Sequence, residues 1–156
     1  MASVVGDASV LLALAKLDRL PLLRDLFQEI SVPPTVSREV SETLPQVPSW
    51  IRVIEPRSII AVRPVVGLHQ GEVEAIALAL DVRASVLILD DLPARRHAIA
   101  LGLAIVGTAG VLVLAKRSGL IPSVREALDA LRGGGFRLRH DVYEQILIDA
   151  GERVPN

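Results

Sequence analysis

Short apolar runs alternate along the chain with longer segments whose apolar residues have helical spacing. The runs predict β-strands over 3–6, 30–32, 50–54, 86–89 and 103–106. The helical spacing, with Pro and Gly marking several ends, predicts helices over 9–17, 20–27, 35–42, 71–80, 93–101, 108–118, 122–132 and 140–150. Residues 55–70 are predicted to form a loop. Because strands alternate with helices, we expect a parallel sheet flanked by helices, an α/β fold.

Composition narrows the class of protein. The 156 residues suit a single domain, predicted over 1–156 with a helical tail over about 122–156. The chain has no cysteine, which excludes disulfides and thiolate metal sites, and its net charge of −1 excludes a strongly basic nucleic-acid binder. No basic leader and no apolar stretch of membrane-spanning length stand in the sequence, so we expect a cytoplasmic protein without a membrane anchor.

Acidic residues stand where predicted strands end. Asp7 follows the first strand, and the adjacent Asp90 and Asp91 close the apolar run VLIL. Because the carboxyl ends of parallel strands share one edge of the sheet, these acids are expected to meet there. Glu39 and Glu72 lie on predicted helices. Converging carboxylates repel one another unless a hard cation such as Mg²⁺ or Mn²⁺ neutralises them, and such sites serve phosphodiester chemistry.

Each acid also has a simpler interpretation. Asp7 and the Asp90–Asp91 pair are suited to capping the helices that follow them, and capping is compatible with metal binding. Glu72 is a favourable first-turn acid, and Glu39 a solvated helix residue. On the helix over 71–80, Glu72 shares an otherwise apolar face, whereas Glu74 is predicted to point elsewhere.

Several segments resemble the motifs of PIN-domain nucleases. They are VVGDASVLLALAKL, PPTVSREV, GEVEAIALAL and LILDDLPARRHAIALGLAIVGTAGVL. The tail LIPSVREALDALRGGGFRLRHDVYEQILIDAGE is similar to that of a prokaryotic branch of PIN-like proteins known mainly from sequence. The resemblance covers nearly the whole chain, and it implies a PIN-like three-layer α/β/α sandwich with a central parallel sheet.

The resemblance also implies an activity, that of an endoribonuclease dependent on Mg²⁺ or Mn²⁺. Matched residue by residue, the metal-binding and catalytic acids are Asp7, Glu39, Glu72 and either Asp90 or Asp91, since the motif fits both registers. Glu72 takes a place usually held by Asp. Activated water would attack the phosphorus in line, and no side chain serves as a covalent nucleophile.

Further residues are implied to bind the RNA substrate. Ser9 matches the small hydroxyl residue beside the metal, and Arg95 and Arg96 are candidate phosphate contacts. Thr108 either faces the site or caps the following helix. The resemblance also includes toxins of toxin–antitoxin pairs, which implies an antitoxin protein and a homodimer as partners. The rival hypothesis is a catalytically silent PIN-like module that binds nucleic acid or protein without cutting.

Two features of the tail have open interpretations. Arg137, Arg139 and His140 form a basic cluster, which is either part of an RNA surface or ordinary surface charge. The last helix carries apolar residues at helical spacing, which either pack in the core or form a groove for a partner. These residues are Val142, Tyr143, Ile146 and Leu147.

Overall fold

A computed structural model of the chain describes residues 3–57 and 66–153. Its strands are β1 (Val4–Gly6), β2 (Ile30–Val32), β3 (Ile51–Val53), β4 (Val86–Ile88) and β5 (Ile105–Val106). Its helices are α1 (Ala8–Lys16), α2 (Pro21–Phe27), α3 (Pro34–Thr43), α4 (Gln70–Asp81), α5 (Leu92–Ala100), α6 (Thr108–Arg117), α7 (Val124–Gly133) and α8 (His140–Asp149).

The predicted elements agree with these bounds to within about two residues at each end. The predicted loop over 55–70 is one residue too long, because α4 begins at Gln70. Its residues 58–65 lie outside the described part of the chain. Within the described ranges, no helix combines the length and the apolar character needed to cross a membrane.

All strand pairs in the sheet are parallel, in the order β3-β2-β1-β4-β5. The chain first builds outward from β1 to β2 and β3, and then returns to place β4 on the other side of β1. Val5 of β1 therefore pairs with Ser31 on one side and Leu87 on the other. Ligands of open α/β sheets bind at such a reversal of strand order, beyond the carboxyl ends of the strands.

Two apolar cores lie on opposite faces of the sheet. Residues alternate between them along β4, since Ile88 belongs to one core and Leu87 to the other. The larger core is covered by α1, α2, α3, α6, α7 and α8, and the smaller by α4 and α5. The prediction of a three-layer α/β/α sandwich around a parallel sheet is thus confirmed.

The last two helices pack on the larger core. Tyr143 and Leu147 of α8 are buried, whereas Val142 is 40% exposed. The Tyr143 hydroxyl donates to Asp129 Oδ1 at 2.7 Å, and the guanidinium of Arg132 lies 4.7 Å from its ring centre. Core packing therefore accounts for one side of α8, and Val142 stays free to contact solvent or a ligand.

Candidate active site

Asp7 is the most buried acid at the carboxyl edge of the sheet, with 4% of its surface exposed. It follows β1 directly and stands at the N-cap position of α1. Its Oδ2 accepts a hydrogen bond from the Ser9 hydroxyl at 2.9 Å. Burial raises the pKa of Asp7, the Ser9 hydroxyl opposes that rise, and the charge of Asp90 adds to it. A charged Asp7 is therefore costly unless a cation accompanies it.

Asp90 follows the neighbouring strand β4, and the first residue of α6, which follows the adjacent strand β5, donates two hydrogen bonds to it. Its Oδ1 accepts the Thr108 N–H at 2.8 Å, and its Oδ2 accepts the Thr108 hydroxyl at 2.5 Å. Thr108 is fully buried. The interpretation of Thr108 as a helix cap is wrong, because Gly107 holds the N-cap position and Thr108 begins the helix. Thr108 instead fixes the orientation of Asp90.

Gly107 makes room for two side chains of the site. A Cβ at this position would lie 2.7 Å from Asp90 Oδ1 and 2.6 Å from Arg95 Nη1, closer than packed atoms approach. Any larger residue would displace the carboxylate or the guanidinium. The absence of a side chain at Gly107 therefore lets an acid and a base share one corner of the site.

Asp91 has a different role from its neighbour. It is the N-cap residue of α5, and its Oδ2 accepts the Ala94 N–H at 3.0 Å. This hydrogen bond satisfies a backbone donor that the first turn of a helix leaves free. Asp91 therefore has the capping role that the sequence allowed, while Asp90 is bound to the adjacent helix α6.

The two glutamates approach the same edge from α3 and α4. Glu72, 8% exposed, accepts the His69 N–H at 3.1 Å, so it also closes the first turn of α4. Glu39 is exposed on α3, and its Oε1 would lie 3.0 Å from a Cβ placed on Gly71. Partial desolvation by the neighbouring helix raises the pKa of Glu39, burial raises that of Glu72, and the Asp7 carboxylate raises each further.

Glu74 is an acid that sequence reasoning placed away from the site. It is 9% exposed, and its charge raises the pKa of Glu39. Its Oε1 accepts the Gln70 amide at 3.1 Å. Its Oε2 is buried without a partner among the described residues. The missed signal is that α4 is buried on nearly every side, so an acid two positions from Glu72 also lies inside the protein.

The acids interact electrostatically as one cluster. Besides the Asp7 effects, Asp91 raises the pKa of Glu72. Even so, in residues 3–57 and 66–153 no three His, Asp or Glu side chains are arranged to hold one metal ion. Four of the acids instead each accept a hydrogen bond from a separate protein donor: Asp7, Glu72, Asp90 and Asp91.

The donor set nevertheless suits a hard cation. It consists of carboxylate oxygens, which Mg²⁺ and Mn²⁺ prefer, and Mg²⁺ sites commonly use one or two carboxylates with several waters. Besides burial, the charge of Asp90 raises the pKa of Asp7, and the charges of Asp91 and Asp7 raise the pKa of Glu72. The chemistry of the residues therefore fits a divalent metal, provided that side-chain rotations bring the carboxylates together.

A groove of about 850 Å³ begins at this edge. Ser9, Glu72, Asp90, Asp91 and Arg95 line its acidic end, and α6, α8 and residues 136–139 form the remainder. Arg95 also donates to the Leu89 carbonyl at 3.4 Å. Of the two arginines considered for RNA, Arg95 thus lines the groove, whereas Arg96 is exposed on α5 and is not among the lining residues.

A parallel sheet between two helical layers, with acids at the reversal of strand order, is the arrangement of a nuclease-type PIN fold. The chain belongs to the PIN-domain family: the family model DUF3368, a PIN domain, matches residues 3–152. No curated protein matches the chain at a significant level. Membership confirms the family resemblance and supports nuclease chemistry of the kind that divalent metals assist.

Proposed function

We propose that the protein is an endoribonuclease that depends on Mg²⁺ or Mn²⁺. The observation that carries the proposal is the cluster of acids that follow β1 and β4 or lie on α3 and α4. Besides desolvation, the charge of Asp7 raises the pKa of Glu39 and of Glu72, and the charge of Asp90 raises the pKa of Asp7. Structural acids are normally spread apart, because clustered like charges destabilise a fold. Three acids of the cluster, Glu72, Asp90 and Asp91, line a groove together with Arg95, an arrangement that suits a phosphodiester substrate.

Each residue then has a role. Asp7, Glu39 and Glu72, with Asp90 or Asp91, would hold the cation. When bound, the cation neutralises the acids and supplies Lewis-acid activation of water and phosphate. Ser9 orients Asp7, and Thr108 orients Asp90. Arg95 is the favoured phosphate contact, and Arg96, on the exposed side of α5, is a contact for a more distant phosphate.

The second candidate is a catalytically silent module that binds nucleic acid or protein. It is favoured by the hydrogen bonds that already occupy the acids, in particular the capping of α5 by Asp91 and the two donors from Thr108. In that case the acids would stabilise helix starts, and metal would have little effect on stability.

The partners are proposed on the same basis. The family includes toxins, which supports an antitoxin protein as a partner, and homodimers are frequent among similar proteins. Leu92 and Ile99 of α5 are 63% and 58% exposed, and they offer apolar surface for a protein contact beside the site.

Thermal unfolding with and without Mn²⁺ tests the metal site. At a metal concentration of about 100 times Kd, we expect the free energy of unfolding of the wild type to rise by about 2.7 kcal/mol, which corresponds to about 5–10 °C in melting temperature. Asp7→Asn should lose this gain, and Asp25→Asn, which changes an exposed acid on α2, should keep it. RNA cleavage by the wild type should require the metal and vanish in Asp7→Asn.

The outcomes separate the two candidates. Metal-dependent cleavage that needs Asp7 supports the nuclease. RNA binding without any cleavage and without a metal-induced rise in melting temperature supports the silent module. Full cleavage by Asp7→Asn would refute the assignment of the acids.

A further inference from the structure

Phe136 stands where two cavities of the protein meet. It lines the 850 Å³ groove and also a second cavity of about 450 Å³ between α1 and the end of α7. Ser9 and Asp90 also line both cavities, so Phe136 shares both of them with the acidic end of the site. Phe136 is partly buried and packs against the edge of the larger core. Aromatic residues make up 3% of the chain, which makes an aromatic at this junction notable.

The turn that carries Phe136 is fixed by the backbone. The Phe136 N–H donates to the Leu131 carbonyl at 3.0 Å, and the Gly134 N–H donates to the Ala130 carbonyl at 3.1 Å. Gly135 has a φ of +95°, a conformation that residues with side chains rarely adopt. The run of glycines therefore ends α7 and places Phe136 at the junction of the two cavities.

The surroundings of the ring suit one nucleotide. The second cavity is lined mainly by apolar and glycine residues, including Leu12, Leu17 and Leu131, with Lys16 as its cation. The wider groove is also lined by exposed Arg137, the next residue in the sequence, and by Arg139, whose guanidinium donates to Asp141 Oδ2 at 2.7 Å. An apolar slot with an aromatic residue matches a base, and an exposed guanidinium in the adjoining groove matches a phosphate.

We propose that Phe136 stacks on a base of single-stranded RNA, and that Arg137 contacts the phosphate beside it. This inference rests on the proposed function, since it places the base next to the acids that would support cleavage of the RNA. It makes Phe136 a specificity-determining residue for unpaired RNA, because a base inside a duplex cannot present its face to the ring.

The test is cleavage and binding of a single-stranded RNA and of its abasic derivatives by the chain of residues 1–156. Phe136→Leu keeps the apolar bulk and loses the ring, and we expect it to weaken RNA binding by roughly 5- to 150-fold, the range for loss of one stacked base. Phe136→Tyr should bind as the wild type does. Phe27→Leu is the matched control, a partly buried phenylalanine on α2 that lines neither cavity.

Two further readouts exclude a merely structural effect. One abasic position should weaken binding to the wild type, and the same position should cause no further loss in Phe136→Leu. Arg137→Ala should reduce the salt slope of binding by about 0.7, as expected when one phosphate contact to a single strand is lost.

The possible failures are distinguishable. If the wild type cleaves RNA and Phe136→Leu binds within about twofold of it, the stacking inference is wrong and the proposed function stands. The same holds if Phe27→Leu loses as much binding as Phe136→Leu. If the wild type neither binds nor cleaves single-stranded RNA, both proposals are wrong, and a protein ligand for the groove becomes the explanation.

Discussion

Replacement of Thr108 by valine tests how the site is held together. Valine has nearly the same shape, so Thr108→Val removes the hydroxyl without opening a cavity in this fully buried position. The change deletes the 2.5 Å hydrogen bond to Asp90 Oδ2 and keeps the N–H bond to Oδ1. The carboxylate of Asp90 would then rotate more freely, because only one of its two hydrogen bonds from α6 would remain.

The cost follows from the kind of bond. A hydrogen bond to a charged group contributes about 1.5–3 kcal/mol, and water that reaches the half-buried Asp90 replaces part of it. We therefore expect Thr108→Val to lower the free energy of unfolding by about 1–2 kcal/mol, measured by urea titration. Loss of this orienting bond should also weaken Mn²⁺ binding by about 10- to 100-fold, measured by calorimetry.

Thr108→Ser is the matched control. It keeps the hydroxyl and loses a buried methyl group, which costs about 1 kcal/mol of stability but leaves the Asp90 bond in place. The two variants should therefore differ in metal affinity more than in stability. Equal Mn²⁺ affinity in the valine and serine variants would refute the role of the Thr108 hydroxyl in the metal site.

Three other predictions concern the buried acids. Asp7→Asn keeps an acceptor for the Ser9 hydroxyl but removes the charge. Because burial raises the pKa of Asp7, the free energy of unfolding of the metal-free wild type should fall as the pH rises above the ordinary value of 3.8. Urea titrations in EDTA should show a smaller fall in the variant. Glu74→Gln removes a buried charge whose Oε2 has no partner among the described residues, and calorimetry should show that the free energy of unfolding rises by about 1 kcal/mol. A fall in the free energy of unfolding would indicate that Glu74 has a ligand. Glu152 accepts the N–H groups of Val124 and Arg125 and pairs with Lys116, so Glu152→Ala should cost about 2–4 kcal/mol, and an effect below about 0.5 kcal/mol would contradict this capping role. Burial alone would raise the pKa of Glu152, but these donors lower it; the stabilisation is therefore complete above the ordinary value of 4.5 and lost as the pH falls through the lowered pKa, which acid titration of the variant against wild type measures.

The order and type of the helices and strands were predictable from the sequence because each has a clear local cause. Short apolar runs mark strands that are buried on both faces, and Val86–Ile88 is an example. Pro34 begins a helix at the position where its missing N–H costs nothing, and Gly102 and Gly119 follow helices with positive φ. Such signals depend on neighbours in sequence and need no tertiary information.

The details of the site were less predictable because they depend on contacts between distant segments. The bond from Thr108 to Asp90 joins residues 18 positions apart, and no local pattern distinguishes it from a helix cap. Helical spacing suggested that Glu74 would point away from Glu72, but α3 packs against α4, and Glu74 is buried near enough to Glu39 of α3 for its charge to act on that residue. Whether a polar residue is buried is decided by the packing of a second element.

The same reasoning bears on Asp90 and Asp91, which the sequence could not separate. Asp91 bonds to the first turn of its own helix, and Asp90 bonds to a different helix across the end of the sheet. Removal of Asp91 therefore removes a cap of α5, for which about 1 kcal/mol is typical, and Asn at this position would keep it. Asp90→Asn should also keep the fold but remove a charge that Asp7 senses directly. If Asp90→Asn abolishes Mn²⁺ binding and Asp91→Asn retains it, Asp90 is the ligand. The reverse result would make Asp91 the ligand, which its capping bond allows, because that bond uses only one lone pair of Oδ2.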